Sequence, residues 1–394
     1  MRTIICDLAR DQLAATGAPF DEAICLEELR AAHGCQGCFG CWVRTPGACV
    51  IRDALGDLPA LLARSDELWI FSENSFGWVS ADVKRALDRC IPFVRPEFRI
   101  VDGRMHHRLR HDRMPELSVW LWGSSTEAER ACARRLAEAS ALNLGMRPAG
   151  VRFVADQLGC GAAGDSPAAD APVPGAADVP ALPRRVALVN GSPRGPRSAT
   201  AHLLADLAEA LGVYARLAGV TEPELVEVAC RQACAGASGL AGCDAVVLGY
   251  PLYVDALPSG LVGLLGDAAR LLAPGARVYA LANLGFYEPE QILPSFSLVE
   301  GFCAAAGAHW SGGVAVGAGG VVLPVAATPR MGMLRRGVSE AIDRMIAAIL
   351  SGADTGAILA RPAVPRWAYR LAAEAQWRRL ARESGADLDV APWL

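Results

Sequence analysis

The sequence predicts an α/β protein made of two tandem, doubly wound, parallel five-stranded sheets. Three observations carry this. Short apolar runs alternate with helical patterns along the whole chain, as a parallel sheet with crossover helices requires. A segment of Ala, Gly, Pro and Asp without periodicity, residues 159–183, divides the chain into halves of similar pattern. The stretch Arg185-Val-Ala-Leu-Val-Asn-Gly-Ser-Pro-Arg-Gly-Pro-Arg-Ser-Ala-Thr-Ala-His-Leu-Leu204 reads as a strand, a tight turn and a helix N-terminus. The expected domains are therefore 1–158 and 184–394, joined by the linker 159–183, with a helical tail from Pro362 onward.

Of 394 residues, 52% are hydrophobic and 20% charged, enough apolar material for substantial cores in roughly two or three domains. The formal net charge of −4 and the lack of a basic patch interleaved with aromatics argue against a nucleic-acid surface. The start, Met1-Arg-Thr-Ile-Ile-Cys-Asp7, reaches an acid after one short apolar run, unlike a signal peptide or membrane anchor. The uncharged stretch from Gly301 to Pro329 contains many glycines with His309, Ser311 and Pro324, and reads as strand and loop rather than a membrane span. The 13 cysteines are an odd number without an export signal, so reduced thiols and a cytoplasmic location are expected.

In the first half, Arg2 to Cys6 reads as a strand with no Gly-Ser turn after it, and Ala23 to Leu26 as a second. Cys35, Cys38, Cys41 and Cys49 follow with the spacing C-x2-C-x2-C-x7-C. A helix is expected from Asp53 as N-cap, carrying Leu55, Leu58, Leu61 and Leu62 inward. Strand Leu68 to Phe71 ends at the loop Ser72-Glu-Asn-Ser-Phe-Gly-Trp78. Then come the helix Asp82 to Arg89, a Pro-rich link, the segment Arg104-Met-His-His-Arg108, the strand Leu117 to Trp122, the helix Glu127 to Ala139 and the strand Gly150 to Ala155. His106, His107 and His111 beside Arg104, Arg108 and Arg110 read as a solvated turn.

In the second half, the strand Val186 to Val189 and the helix from Ser198 through Leu211 are followed by the strand Ala245 to Tyr250, which runs into Pro251-Leu-Tyr-Val-Asp-Ala-Leu-Pro258. The strand Arg277 to Ala282 ends at Asn283-Leu-Gly-Phe-Tyr-Glu-Pro289. A helix through Val299 to Ala306, a strand Gly312 to Gly317 and a helix Val338 to Leu350 complete the pattern. The Gly317-Ala-Gly-Gly320 run lacks the spacing and the following helix of a dinucleotide loop. The tail contains Trp367, Tyr369, Leu371, Trp377 and Leu380 at helical spacing, suited to packing on the domain or on a second subunit.

Three loops of the second half lie at carboxyl ends of successive strands, where doubly wound sheets bind ligands. In the first, backbone N–H groups, a helix dipole and the hydroxyls of Ser192, Ser198 and Thr200 converge, with Arg194 adding charge, which suits a phosphate. A nucleoside-triphosphate loop needs Gly-Lys-Ser/Thr, and there is no lysine; the dinucleotide spacing is not met either. A monophosphate held by neutral donors fits better, the alternative being an ordinary strand-to-helix turn. Tyr253 and Tyr287 offer faces for a flat ring, and the N–H groups of Leu252, Val254, Gly285 and Phe286 offer donors to its edge.

Asn190-Gly-Ser-Pro-Arg-Gly-x-x-Ser-x-Thr200 resembles the first loop of the flavodoxin-like NAD(P)H-dependent FMN reductases and quinone reductases, in which the phosphate is that of FMN. The Pro251 to Pro258 and Asn283 to Pro289 segments resemble that family's isoalloxazine loops, and Pro365-Arg-Trp-Ala-Tyr369 is also similar to family sequence. The resemblance implies two tandem flavodoxin-like domains, with FMN bound mainly by the second. Its site would comprise Ser192, Arg194, Ser198, Thr200, Pro251, Leu252, Tyr253, Val254, Asn283, Gly285 and Tyr287. It further implies hydride transfer from NADPH or NADH to the flavin, and onward to a quinone, a nitro or azo compound or free flavin. The flavin carries that chemistry, so no side chain need act as acid or base.

In the first half, Cys35-x-Gly-Cys-Phe-x-Cys-Trp-x-x-Thr-Pro-Gly-x-Cys49, Ser72 to Gly77, Val83 to Pro92 and Met105-His-His107 are similar to segments of the same family. The phosphate loop is absent, and Glu73-Asn-Ser75 stands where many relatives have Pro-Val-Tyr. This half is expected not to bind its own FMN in the usual manner and to complete the other half's site, as partner subunits do in family dimers, giving a homodimer or an intrachain pseudo-dimer. The cysteine quartet has two accounts: a [4Fe–4S] cluster, since short loops let thiolates surround a cubane and the motif is similar to that of the iron-sulfur flavoproteins, or a packed loop of free thiols. Zinc ribbons use longer spacers. The rival functions are an iron-sulfur flavoprotein electron carrier and a non-catalytic flavodoxin-like binding or assembly module.

Overall fold

The computed structural model describes residues 1–159, 168, 182–230 and 237–390. Most of the expected linker 159–183 and the last residues of the tail lie outside the described residues. The chain divides into two compact units: Met1–Asp170 with Arg370–Leu394, and Ala171–Tyr369.

The first unit contains β1 (Arg2–Cys6), β2 (Glu22–Ile24), β3 (Glu67–Glu73), β4 (Val94–Val101), β5 (Arg104–Leu109), β6 (Glu116–Trp122) and β7 (Arg147–Val154). Five of these form one parallel sheet in the order β2-β1-β3-β6-β7. Counted along the chain this is 2-1-3-4-5, with the order reversing between the first and third strands. Both faces of the sheet are covered, so β1 reads as a continuous apolar run, with Ile4, Ile5 and Cys6 all fully buried.

The helices are α1 (Arg10–Ala15), α2 (Leu26–Ala31), α3 (Gly40–Val43), α4 (Leu58–Arg64), α5 (Ala81–Asp88) and α6 (Glu127–Leu144). Thr126 and Glu129 cap the start of α6 reciprocally, and Gly145 ends it at a φ of 69°. It runs past the expected Ala139 because Ala141 and Leu144 continue its buried stripe.

Two expectations for this unit are corrected. Asp53 does not cap a helix: α4 begins at Leu58 after Asp57, and the Asp53 carboxylate instead accepts both ends of the Arg89 guanidinium at 2.9 and 3.0 Å. The Arg104 to Arg108 segment is not a solvated turn but strand β5, paired antiparallel with β4. His106 is buried and shares a 2.7 Å hydrogen bond with Asn143 of α6. His107 packs on Trp42 and Phe98, and burial pushes its pKa down to about 4.

The second unit is built on β8 (Arg185–Asn190), β9 (Glu224–Ala229), β10 (Ala245–Pro251), β11 (Arg277–Asn283), β12 (His309–Val316) and β13 (Gly356–Ala360). Its parallel sheet has six strands, not five, in the order β13-β12-β11-β10-β8-β9. From the β9 edge the chain order is 2-1-3-4-5, with β13 added outside. Its helices are α7 (Ala199–Ala218), α8 (Ser259–Ala268), α9 (Leu293–Ala306) and α10 (Arg336–Ser351). Leu203, Leu207 and Leu211 of α7 and Ile342, Met345 and Ile349 of α10 pack with Val186, Val247 and Leu281 of the sheet.

The last helix, α11 (Arg366–Glu383), starts in the second unit, while residues from Arg370 onward group with the first. The expected domain 184–394 places this tail with the second half. Within the first unit Trp377 sits 5.2 Å from both Phe39 and Trp42, and the Glu374 carboxylate accepts the Phe98 N–H at 3.2 Å.

Candidate functional site

Strands β8, β10 and β11 lie side by side with Asn190 opposite Gly249 and Pro251 opposite Asn283. Their three following loops therefore leave one edge of the sheet at nearly one level. The first loop is held by Asn190, whose side chain accepts the Ser192 N–H at 3.0 Å and donates to the Gly195 carbonyl at 3.2 Å. Gly191 donates to the Gly249 carbonyl at 2.7 Å, and a Cβ there would lie 2.7 Å from Leu261 and 3.0 Å from that carbonyl. Only glycine lets the loop cross this close to β10.

Ser198 caps α7, accepting the Ala201 N–H at 3.0 Å and donating to the Gly195 carbonyl at 2.7 Å. The Ser192 hydroxyl accepts the Arg194 N–H at 3.3 Å. Thr200 donates to the Asn283 side-chain oxygen at 2.7 Å, tying the first loop to the third. Ser192, Ser198 and Thr200 are all buried and Arg194 is exposed. The hydroxyls are thus committed to the loop's own geometry. The N–H groups of Ala199 and Thr200, in the first turn of α7, lack carbonyl partners within the helix.

The second loop is tied to the third by a 2.8 Å bond from the Leu252 N–H to the Asn283 carbonyl. This bond extends the β10–β11 pairing, so one of the donors expected for a bound ring is engaged in the scaffold. Tyr253 and Ala256 then exchange N–H···O bonds of 3.0 and 3.2 Å around a two-residue turn. Its central residues, Val254 and Asp255, adopt φ of 44° and 60°. Neither is glycine and Val254 is β-branched, so the turn holds strain of order 1–3 kcal/mol per residue. Sequence reasoning placed Val254 in the site but not this strain, because Val-Asp is not a usual left-handed pair.

The third loop is buttressed from β12. Ala318 and Gly319 donate to the Phe286 and Leu284 carbonyls at 2.6 and 2.8 Å, and a Cβ on Gly317 would come within 2.3 Å of the Tyr287 carbonyl. The glycine run after β12, given no role from sequence, therefore lets a fourth loop lie against the third. Tyr287 is packed: its hydroxyl donates to the Val364 carbonyl at 3.0 Å, and the Arg361 guanidinium lies 4.9 Å from its ring centre. Tyr369 donates to the Gly285 carbonyl at 2.5 Å, and burial pushes its hydroxyl pKa up. Gly285 itself is exposed, with open space where a side chain would be.

The corresponding edge of the first unit is arranged differently. Asp7, directly after β1, accepts the Ser72 hydroxyl at 3.0 Å, the Glu73 N–H at 2.9 Å and the Trp122 indole N–H at 3.1 Å. One carboxylate thus gathers donors from the ends of β3 and β6. Glu73 beside it has its pKa raised by burial and by the Asp7 charge.

The cysteine segment 35–49 is closed at its base by Arg89, which is buried and donates to the His33 carbonyl at 2.8 Å and the Ile51 carbonyl at 3.1 Å as well as to Asp53. Cys38 is exposed, Cys35 half-buried, and Cys41 and Cys49 buried. Burial pushes Cys35 up to about 12 and Cys41 well above the usual thiol range, and the other three cysteines of the quartet add to the shift at Cys41. Among the described residues, no three His, Cys, Asp or Glu side chains are placed to hold a metal ion. No helix among them is long and apolar enough to cross a membrane.

Fold and site together define an α/β protein whose second unit gathers three strand-end loops at the edge where parallel sheets bind ligands. No family model matches the chain, and no curated protein is similar to it in sequence.

Proposed function

We propose that the second unit is a flavodoxin-like domain that binds FMN across these three loops, in a chain of two tandem flavodoxin-like domains acting in the cytoplasm as an NAD(P)H-dependent oxidoreductase. The observation that carries this reading is that the loops after β8, β10 and β11 leave one edge of the sheet together, bonded to one another through Thr200, Asn283 and Leu252, beside the N-terminus of α7.

The residues present fit a flavin mononucleotide. A phosphate would meet the Ala199 and Thr200 N–H groups at the positive end of a 20-residue helix, with the exposed Arg194 beside it. The Ser198 hydroxyl would turn from the Gly195 carbonyl toward it, and the Ser192 hydroxyl, which accepts the Arg194 N–H, would donate its own hydrogen to it. A planar ring would lie by Tyr253, Val254 and the open surface at Gly285, with Pro251 and Asn283 holding the two loops in place. FMN, when bound, supplies two-electron hydride chemistry. The loops would orient the ring. The electron acceptor would be a quinone, a nitro or azo compound or free flavin. In the first unit Asp7 supplies a negative charge where a phosphate would lie, in keeping with one flavin site per chain.

The test is NADPH and NADH oxidation by the FMN-loaded chain with a quinone acceptor. Turnover that depends on added FMN supports the reading, and a chain that binds FMN without turnover would leave a binding module. A second reading, an iron-sulfur flavoprotein, rests on the C-x2-C-x2-C-x7-C spacing of Cys35, Cys38, Cys41 and Cys49. Stoichiometric iron and a brown chromophore after anaerobic purification would select it.

A further inference from the structure

Strand β1 and the edge strand β2 of the first sheet lead into a pair of thiols that the proposed flavin chemistry does not use. β1 and β2 run parallel with Ile5 opposite Ile24, so the next residue of each strand brings Cys6 and Cys25 side by side. Paired residues on adjacent strands lie ~4.8 Å apart, within the about 4.4–6.8 Å Cα separation that a disulfide spans. Both side chains are fully buried in one apolar cluster with Leu8, Leu13 and Phe71. The Cys6 thiol donates to the Leu8 carbonyl at 3.7 Å, and both thiols are free.

The pair is asymmetric. The neighbouring Cys6 thiol and the charge of Arg10 favour the thiolate of Cys25, and Arg10 is itself held by Glu28 at 2.6 Å. Cys6 is kept as the protonated partner by the neighbouring Cys25, by burial and by the nearby Asp7. A thiolate with a protonated thiol in contact is the arrangement of an attacking and a resolving cysteine.

We propose that Cys6 and Cys25 are a redox-active dithiol, which a small hydroperoxide converts to a disulfide joining β1 to β2. The Cys25 thiolate attacks the peroxide O–O bond, forming an S–O bond and releasing hydroxide or alkoxide. Cys6 then attacks the sulfenic sulfur, an S–S bond forms, and the sulfenic oxygen leaves as water with the proton that Cys6 gives up. Two thiols are oxidised by two electrons and one peroxide is reduced. A small oxidant is required because neither sulfur is exposed; access comes through local opening of β2, a three-residue edge strand.

The reduced full-length chain, treated with hydrogen peroxide, alkylated in denaturant and digested, is expected to yield a Cys6–Cys25 cross-linked peptide that disappears on reduction, with Cys303 still alkylated. Recovery of Cys6 and Cys25 both as alkylated thiols, or of Cys25 as sulfinic acid with Cys6 unlinked, would overturn the proposal. In Cys6→Ser, which keeps a hydroxyl beside Cys25 but removes the resolving thiol, a 1,3-dione probe added with the peroxide is expected to label Cys25. An unlabelled Cys25 in that variant, with native far-UV circular dichroism, would also overturn it.

Discussion

The first and second units share the strand order 2-1-3-4-5 and even the same tight turn after the third strand, yet they fill the space beyond that edge in opposite ways. Ser75 and Trp78 pair across Phe76 and Gly77 in one unit, as Tyr253 and Ala256 pair across Val254 and Asp255 in the other, and all four central residues have positive φ. In the first unit Asp7 draws donors from two neighbouring strand ends onto its own carboxylate. In the second, Thr200, Asn283 and Leu252 bond the loops to one another and leave the edge lined by a helix N-terminus and the exposed Gly285. A shared topology thus carries different contacts at the same edge: one carboxylate that gathers three donors in the first unit, and loops bonded to one another in the second.

The contrast is open to direct attack. Asp7→Asn should have the largest effect, lowering the stability of the first unit by about 3 kcal/mol because three donors lose their charged acceptor. Urea unfolding followed by tryptophan fluorescence would register it, and a simultaneous change in FMN affinity would break the comparison. Acid should act on the same unit. His107 is held down to about 4 in the fold, so the unfolded chain binds the extra proton first. Stability is fully present above pH ~6.5 and falls by on the order of 3 kcal/mol as pH drops toward 4. Urea midpoints measured at pH 7 and pH 4.5 should move more for the first unit than for the second, and His107→Gln should reduce the difference.

In the second unit, Thr200→Val strands the buried Asn283 oxygen and should cost about 2 kcal/mol. It should also weaken FMN, since the first and third loops are no longer bonded; an unaltered affinity would mean that the tie is purely structural. The smallest effect is expected at Val254→Gly, which relieves a strained backbone and should raise stability by about 1 kcal/mol while loosening the clamp. A loss of stability there would show that Val254 side-chain packing outweighs the strain.

Much of the second unit's edge is legible in the sequence because its signals are local. Gly191, Ser198 as a helix cap, and the apolar strands on either side all act within a few residues of where they stand. Asp7 was not legible: its partners Ser72 and Trp122 lie 65 and 115 residues away, and an aspartate after a strand looks like any strand-end acid. Asp53 reads as a cap from its immediate neighbours, and Arg89, 36 residues away, overrides that. Strand β5 carries Arg104, His106, His107 and Arg108, a composition that favours solvent until the β4 pairing and the Trp42 ring cover it. The outer strand β13, Gly-Ala-Ile-Leu-Ala, is too short and too lightly buried to announce itself. The grouping of residues from Arg370 onward with the first unit depends on Trp377 meeting Phe39 and Trp42, contacts that helical spacing alone does not specify.

A fluorescence titration of FMN with the ligand-free chain, run in parallel with the Ser192→Ala/Ser198→Ala variant, is the most direct test of the central claim. The account predicts that the unaltered chain quenches FMN to a stoichiometric end point and that the variant binds about tenfold or more weakly, as the loss of phosphate donors implies. A chain that leaves FMN fluorescence untouched, or a variant that binds as well as the original, would contradict it.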